Sequence, residues 1–466
     1  MAPSSDAGVP SSAITRMALQ SNPPDLLRGV VALTTRVLKE SRVLISFEVT
    51  FVLYLYAGLF KADARLGWIP FDLTAAFFAV NVMSGIFILA RRRWFVSRAA
   101  IEIGLTYLLF AGWAITTLLW TPGLVYAREK AVQLCTLVLW AVVGPALVIA
   151  TDEARVRRLF SALVLLALWV GTEAVLAFSS SAKDQVINVL GGKYLGPSRL
   201  INIAALLLTL NAVLFAKSLR DVLLSAGGAI LMVVLLLLIG GRGPLLATGI
   251  ALLVPVGLGV TLARKDVIRV RPFAAYIGLA MTAGVVIVIY LVASGHMTTT
   301  LNRLAILLNA EPGRSGALRL EYYAAAMRLW SQHPLIGAGV GSWPLLADKG
   351  DIRYYPHNIV LELLSEFGLV GAYLWFAFIA VGLRVVKRID RVRKDPRCVL
   401  LVTLLAATLF NASVSGDLND NRIVFVVIGL FPLVASVSLD QRVTRGTAQA
   451  GPSSFEGLVS PDVPYA

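Results

Sequence analysis

The chain has 466 residues, 58% of them apolar and only 15% charged, with a mean hydropathy of +0.78. A soluble globular chain is closer to half apolar and a quarter charged, so a soluble enzyme, a disordered chain and a collagen-like fibre are excluded. The formal charge of +15 fits cytoplasmic loops lying on anionic lipid better than nucleic acid, because the basic residues are scattered in short loops between apolar runs.

The fold class expected is all-α: a polytopic helical membrane protein. Residues 1–42 form a cytoplasmic segment, Ser/Pro/Ala-rich and disordered up to about residue 25, then basic and amphipathic in LLRGVVALTTRVLKESR. It lacks an apolar core followed by a small-residue cleavage site, so it does not read as a signal peptide. A span needs about 20 mostly apolar residues. Twelve candidates follow: 43–60, 69–90, 99–120, 131–150, 159–178, 200–216, 222–240, 245–263, 273–293, 363–386, 398–412 and 423–439. Nine of them lie within 43–293 and three within 363–439, and a polar, disordered cytoplasmic tail fills 440–466. The runs are too long and continuous for barrel strands.

Placing both termini inside puts 27 of the 42 Lys and Arg residues on the cytoplasmic side, as the positive-inside rule requires. Cys135 and Cys398 then lie near opposite membrane faces, too far apart to bridge. One outer loop is long, 294–362, partly helical, and holds the three histidines His296, His333 and His357. A long basic loop in a tightly looped protein is a working part.

Five segments on the outer side carry candidate chemistry. GGRGPLLA places Arg242 between glycines that let the backbone approach a ligand. It also stands at the start of a helix, where donors and dipole favour an anion. The structural alternative is a snorkelling arginine in a tight hairpin. SGALRLEYYAAAMRLW, 315–330, repeats Leu320, Tyr323, Met327 and Trp330 at spacings of three or four, which predicts an amphipathic surface helix with Arg319 near its start. HPLIGAGVGSW, 333–343, lacks the glycine spacing and the preceding strand of a dinucleotide site and reads as a tight loop. YYPHNIVLELLSEFG opens a helix with His357, capped by Asn358, with Glu362 and Glu366 on one face beyond it. NASVSGDLNDNR, 411–422, starts like a calcium loop but has Arg422 where Gly is needed. Asp417 and Arg422 remain as an ion pair or supporting pair. No Walker A motif, HExxH or metal-spaced Cys/His set is present, so no cofactor and no metal site is expected.

In order and character these motifs resemble the bacterial O-antigen ligase and lipid-linked polysaccharide polymerase superfamily. The matching pieces are GGRGPLLA, LRLEYYAAAMRLWSQHPLIGAGVGSW, PHNIVLELLSEFGLVGAYL and NASVSGDLNDNR, over roughly 235–430, with a looser likeness in LLWTPGLVYAREKAVQL. Gly241 stands where the family more often has Ser. The resemblance implies a GT-C-type glycosyltransferase of the bacterial inner membrane, with its site facing the periplasm. It would move a glycan from undecaprenyl pyrophosphate to a sugar hydroxyl, such as that of lipid A core, without metal or nucleotide sugar. The residues fit that chemistry independently. Arginine forks bind phosphate bidentately and a positioned histidine takes a proton near neutral pH. Arg242 and Arg319 are therefore expected on the pyrophosphate and His357 as the base, with Glu362, Glu366, Asp417 and Arg422 in support. The closest rival is an O-antigen or exopolysaccharide polymerase using the same donor. A flippase stays open from another class, with Glu48 and Glu173 as its only well-placed acids. The sugars, the acceptor and the oligomeric state are not legible in the chain.

Overall fold

In the computed structural model, the residues described are 46–180, 188–257, 263–264, 267–268, 314–384 and 395–435. Eight helices there are long and apolar enough to cross a membrane. They are α2 (Leu73–Arg91), α3 (Arg98–Leu119), α4 (Val125–Ile149), α5 (Glu153–Phe178), α6 (Leu195–Phe215), α7 (Leu219–Ile239), α11 (Ile359–Arg384) and α12 (Pro396–Val414). Three shorter apolar helices, α1 (Phe47–Phe60), α8 (Arg242–Val256) and α13 (Arg422–Ala435), join them. Two others, α9 (Arg314–Gln332) and α10 (Ser342–Leu346), belong to the connection before α11. The protein is thus an all-α polytopic membrane protein, although the expected count of twelve is not reproduced. Eleven of the expected spans correspond to these helices, and the ninth, 273–293, lies outside the described residues. A two-residue antiparallel pairing links Ala263–Arg264 to Val267–Ile268.

Large apolar side chains are left outward-facing on the bundle, among them Met83, Phe87, Leu105, Leu109, Leu165 and Leu223. Such a surface is stable only against lipid. Two inward-facing asparagines find their partners within the protein. Asn81 donates to Phe47 O and Thr50 Oγ1, both at 2.8 Å, and accepts from Trp140 Nε1 at 2.8 Å. Asn202 joins Thr248 (2.6 Å), Pro244 O (2.9 Å) and Asn411 (2.9 Å).

Alternating helix directions gather charged termini at two ends. At one, Glu48 of α1 receives Arg155 (2.9 Å) and Arg158 (3.1 Å) of α5, and Arg397 in the first turn of α12 reaches Glu153 (2.5 Å). At the other lie the C-terminal ends of α1, α3 and α12 and the N-terminal ends of α2, α4, α6, α8, α11 and α13, and this end builds the candidate site.

Two helices depart from their expected form, each for a tertiary reason. α4 begins at Val125, not at residue 131, and so takes YAREK into the span. The Asp351 carboxylate, contributed by the connection before α11, accepts from the backbone N–H groups of Leu124 and Val125 (2.8 Å each) and of Tyr126 (3.0 Å). Those are the orphan donors of a helix start, and no local residue would have supplied the cap. Further on, α4 widens into π-turns at Leu134–Val138 and Pro145–Ile149. There Leu134 O accepts from Tyr107 (2.7 Å) and Leu137 O from Tyr54. α11 is broken at Gly368 (φ 66°, ψ −166°). The HPLIGAGVG run inserts against the break. Ala338 and Gly339 N–H groups donate to the carbonyls of Ser365 and Glu366 (2.9 Å each), and those of Leu369 and Val370 donate to Pro334 (2.9 Å) and Leu335 (3.1 Å). A Cβ on Gly337 would stand 2.4 Å from the Glu366 carbonyl carbon, and one on Gly368 2.3 Å from Leu335 O. The glycines of the run serve this close approach of two backbones.

Candidate functional site

Two adjoining cavities open at the site end. The smaller, about 170 Å³, is lined by Arg199, Arg242 and Arg319, together with Tyr194, Pro244 and Asn411. Arg242 is the first residue of α8, placed there because Gly240 ends α7 in the left-handed region (φ 94°). Arg319 stands in the second turn of α9, 77 positions later in the chain. The two expected pyrophosphate-binding arginines therefore share one small cavity. Arg199, from the first turns of α6, completes a trio and went unrecognised in the sequence, because it immediately precedes the span expected at 200–216, where an arginine reads as a snorkelling helix end. Its Nε and NH2 atoms are buried without a hydrogen-bond partner among the described residues. Gly241 has no room for a side chain, since a Cβ there would lie 2.6 Å from Ser198 Oγ. The Ser198 hydroxyl, which donates to Tyr194 O at 2.7 Å, occupies the space a serine at 241 would need.

His357 sits just before α11, half-buried among aromatic rings. Tyr322 stacks on it at 6.2 Å between centroids and Tyr355 meets it edge-on at 4.7 Å. It has a positive φ of 61°, unusual outside glycine, and its Nδ1 is buried without a partner among the described residues. Both features cost stability, and such unrelieved costs concentrate at working sites. Asn358 caps α11 as expected, accepting from Val360 (3.0 Å) and Leu361 (3.1 Å). Burial pushes the His357 imidazole down to about 4, and the charges of Arg319, Arg199 and Lys193 push in the same direction. The ring is therefore neutral at pH 7, the state a base requires, and those three cations are its electrostatic neighbours.

Glu362 and Glu366 lie apart from both cavities. Fully buried, they share Lys130 of α4, whose Nζ lies 2.5 Å from Glu362 and 2.6 Å from Glu366. Glu362 also accepts from the Leu418 N–H (3.1 and 3.0 Å) and Glu366 from the Gly341 N–H (2.8 Å). One ammonium and two carboxylates thus tie α4, α11, the glycine loop and the loop before α13 into one unit. Lys130 was missed as a partner because its helix was expected to start after it. Asp417 also belongs to this interior. It accepts from Tyr126 Oη (3.1 Å) and the Asp420 N–H (2.6 Å), and its ion pair is with Arg353 (3.4 Å), not Arg422. Burial works to raise the Asp417 carboxyl, but Arg353 and Lys130 outweigh it and hold it low, whereas burial and Asp417 raise Asp420. Arg422 instead lies over the Tyr54 ring at 5.4 Å.

The larger cavity, about 610 Å³, meets the smaller one at Leu195, Arg199 and Asn411. Its walls carry Lys61, Lys193, Arg353 and Arg422 as well as Arg199, with Tyr355 bringing the His357 environment to its edge. His333 stands elsewhere, at the end of α9, its N–H bonded to Trp330 O at 3.0 Å, and His296 lies outside the described residues. On α9 the expected apolar stripe points outward, with Leu320 and Met327 exposed, while Tyr322, Ala326 and Leu329 pack against Ala338 and Trp343. For a helix at a lipid boundary, periodicity alone does not tell which face meets protein. The flippase acids are both neutralised at helix ends or loops, Glu48 by Arg155 and Arg158 and Glu173 by Arg65 at 3.0 Å.

Residues 227–376 match a protein family described as O-Antigen ligase. The matched segment runs from within α7 to within α11 and takes in Arg242, Arg319, His357, Glu362 and Glu366. Lys130, Arg199, Asp417 and Arg422 lie outside it. The match bears out the resemblance to the O-antigen ligase and polymerase superfamily that the motifs carry. No curated protein matches the chain.

Proposed function

We propose that this chain, which carries an O-antigen ligase domain over residues 227–376, is an inverting glycosyltransferase of the bacterial inner membrane, with its site end facing the periplasm. It takes a glycan from undecaprenyl pyrophosphate and transfers it to a sugar hydroxyl, with lipid A core as the acceptor. The observation that carries this reading is the shared cavity of Arg242 and Arg319, with His357 within the electrostatic reach of Arg319. A lipid pyrophosphate is an activated leaving group, so the protein must hold its charge and remove one proton. Arginines in a small cavity do the first, acting where charge grows as the bond breaks. The acceptor oxygen attacks the anomeric carbon, the bond from that carbon to the pyrophosphate oxygen breaks, and the hydroxyl proton passes to His357. A single displacement inverts the anomeric centre. With arginines supplying the countercharge, the reaction needs neither a metal nor a nucleotide sugar.

The test is transfer by the purified protein in lipid nanodiscs, from an undecaprenyl-pyrophosphate glycan, with a chelator present. His357→Ala should abolish it in protein that is inserted and folded. Full activity of that variant would remove the assignment, and loss of wild-type activity on chelation would point to a metal. A deletion strain separates ligase from polymerase. Loss of long chains from lipid A core alone supports the ligase, and loss of free polysaccharide or accumulation of single-repeat products supports the polymerase.

A further inference from the structure

Among the described residues, the larger cavity carries more positive charge than its own wall neutralises. Five cationic side chains line it, against the carboxylates of Asp72, Glu129 and Asp420. Two of the five are paired on its wall: Lys61 with Asp72 at 2.6 Å, and Arg353 with Asp420. Lys193, Arg199 and Arg422 remain, with Glu129 the one further carboxylate among the described lining residues, and Asp420 shared electrostatically with Arg199 and Arg422. Arg422 NH1 and two guanidinium nitrogens of Arg199 are buried without a hydrogen-bond partner among the described residues. Buried charged donors left unsatisfied are costly, and a cavity of this size and polarity has room for sugar rings as well as for an anion. The smaller cavity, with Arg242 and Arg319, is the one proposed above for the pyrophosphate, so the surplus charge in the larger one serves a second anion.

We propose that the larger cavity is a separate subsite for an anionic sugar, phosphorylated or carboxylated, held by Lys193, Arg199 and Arg422, so that two negatively charged partners meet across Arg199. This rests on the glycosyl-transfer reading for its role but not for its binding chemistry. The sugar has two possible sources: the acceptor, or the first sugars of the donor glycan.

Equilibrium binding to the full chain in nanodiscs tests the subsite directly, with radiolabelled glucose 6-phosphate, glucuronate and glucose as probes. Glucose 6-phosphate or glucuronate should bind with inorganic pyrophosphate already bound, and glucose should not. Lys193→Gln, a change at an exposed turn, should weaken that binding about fivefold or more and move pyrophosphate affinity less than twofold. Arg242→Ala should do the reverse. Arg422→Gln provides a second variant at the helix start. Stoichiometric displacement of the sugar anion by pyrophosphate, or binding indifferent to both Lys193→Gln and Arg422→Gln, would overturn the subsite. Transfer kinetics then separate the sources. A raised acceptor KM confined to anionic acceptors assigns the subsite to the acceptor, and a raised donor KM confined to anionic glycans assigns it to the donor. Absence of transfer by the wild type would sink the glycosyl-transfer reading while leaving the binding result standing. Transfer that persists while sugar-anion binding ignores the variants would sink the subsite alone.

Discussion

His357 combines a positive φ, a buried Nδ1 with no partner among the described residues and a depressed basicity at one position. The pH dependence follows from its sign. The unfolded chain binds the proton near 6.5 and the folded chain only near 4, so stability falls as pH drops through that window. Activity that needs the neutral ring should hold from pH 7 down past 6, and the acid limb of kcat/KM should lie nearer 4 than 6.5, read from the free enzyme. A limb at 6.5 that disappears in His357→Gln would contradict the buried environment. Because Asn tolerates a positive φ better than Ala, His357→Asn should be inactive yet more resistant to thermal unfolding than His357→Ala. Rate losses on the order of 10²–10⁴ are expected for either. Arg242→Ala should cost about tenfold to a hundredfold or more, and Arg242→Lys should not restore the rate, because a point charge lacks the fork. At Gly241 the crowding by Ser198 makes a separate prediction. Gly241→Ser alone should lower activity and stability, and adding Ser198→Gly should recover both, as shown by a double-mutant cycle on melting temperature and transfer rate.

At the scale of elements, α4 and α11 are held in register by one buried ammonium between two buried carboxylates. Removing one member of such a set leaves uncompensated buried charge, at a cost of about 3–5 kcal/mol. Lys130→Met should therefore abolish accumulation of folded protein. The triple change Lys130→Met, Glu362→Gln, Glu366→Gln should recover much of it, measured as detergent-stable monodisperse protein. If the triple variant also regains transfer, the carboxylates are architectural. If it folds but stays inactive, they act on the chemistry as well. Asp351 joins elements in the same way, capping a helix more than 220 positions before it. Asp351→Ala should cost about 1 kcal/mol, as N-cap losses do, with the destabilisation localised by hydrogen exchange to the start of α4. The broken α11 gives the strictest element-level requirement, because a methyl group at Gly337 meets backbone, which cannot yield.

For the whole molecule the prediction is one of sidedness. The two ends of the bundle differ in charge and in construction, and the reading above puts the cavities outside. Leu346→Cys, on the exposed connection before α11, should react with a membrane-impermeant thiol reagent in intact spheroplasts. Arg220→Cys, at the opposite end, should react only after permeabilisation. Labelling of position 346 from the cytoplasmic side alone would remove both the topology and the periplasmic chemistry.

Composition and run length alone determined that the chain is an all-α membrane protein, since only helices satisfy their own backbone in lipid and twenty-residue apolar runs are legible one by one. Motif character also pointed to Arg242, Arg319 and His357, because glycine-flanked arginine and a proline-set histidine at a helix start are local signals. Which residues meet was a different matter. Arg199 joins Arg242, Lys130 takes up both glutamates, Asp351 caps α4, Ser198 fills the space beside Gly241, and Asp417 pairs with Arg353 instead of Arg422. Each of these relations connects elements far apart in sequence and depends on which face of each helix turns inward. In a membrane protein apolar residues cover the lipid face and the core alike, so hydrophobic periodicity does not distinguish the two. On α9 the outward stripe is the one the spacing displayed. Only packing in three dimensions decided which charges are buried together and which are left to face a ligand.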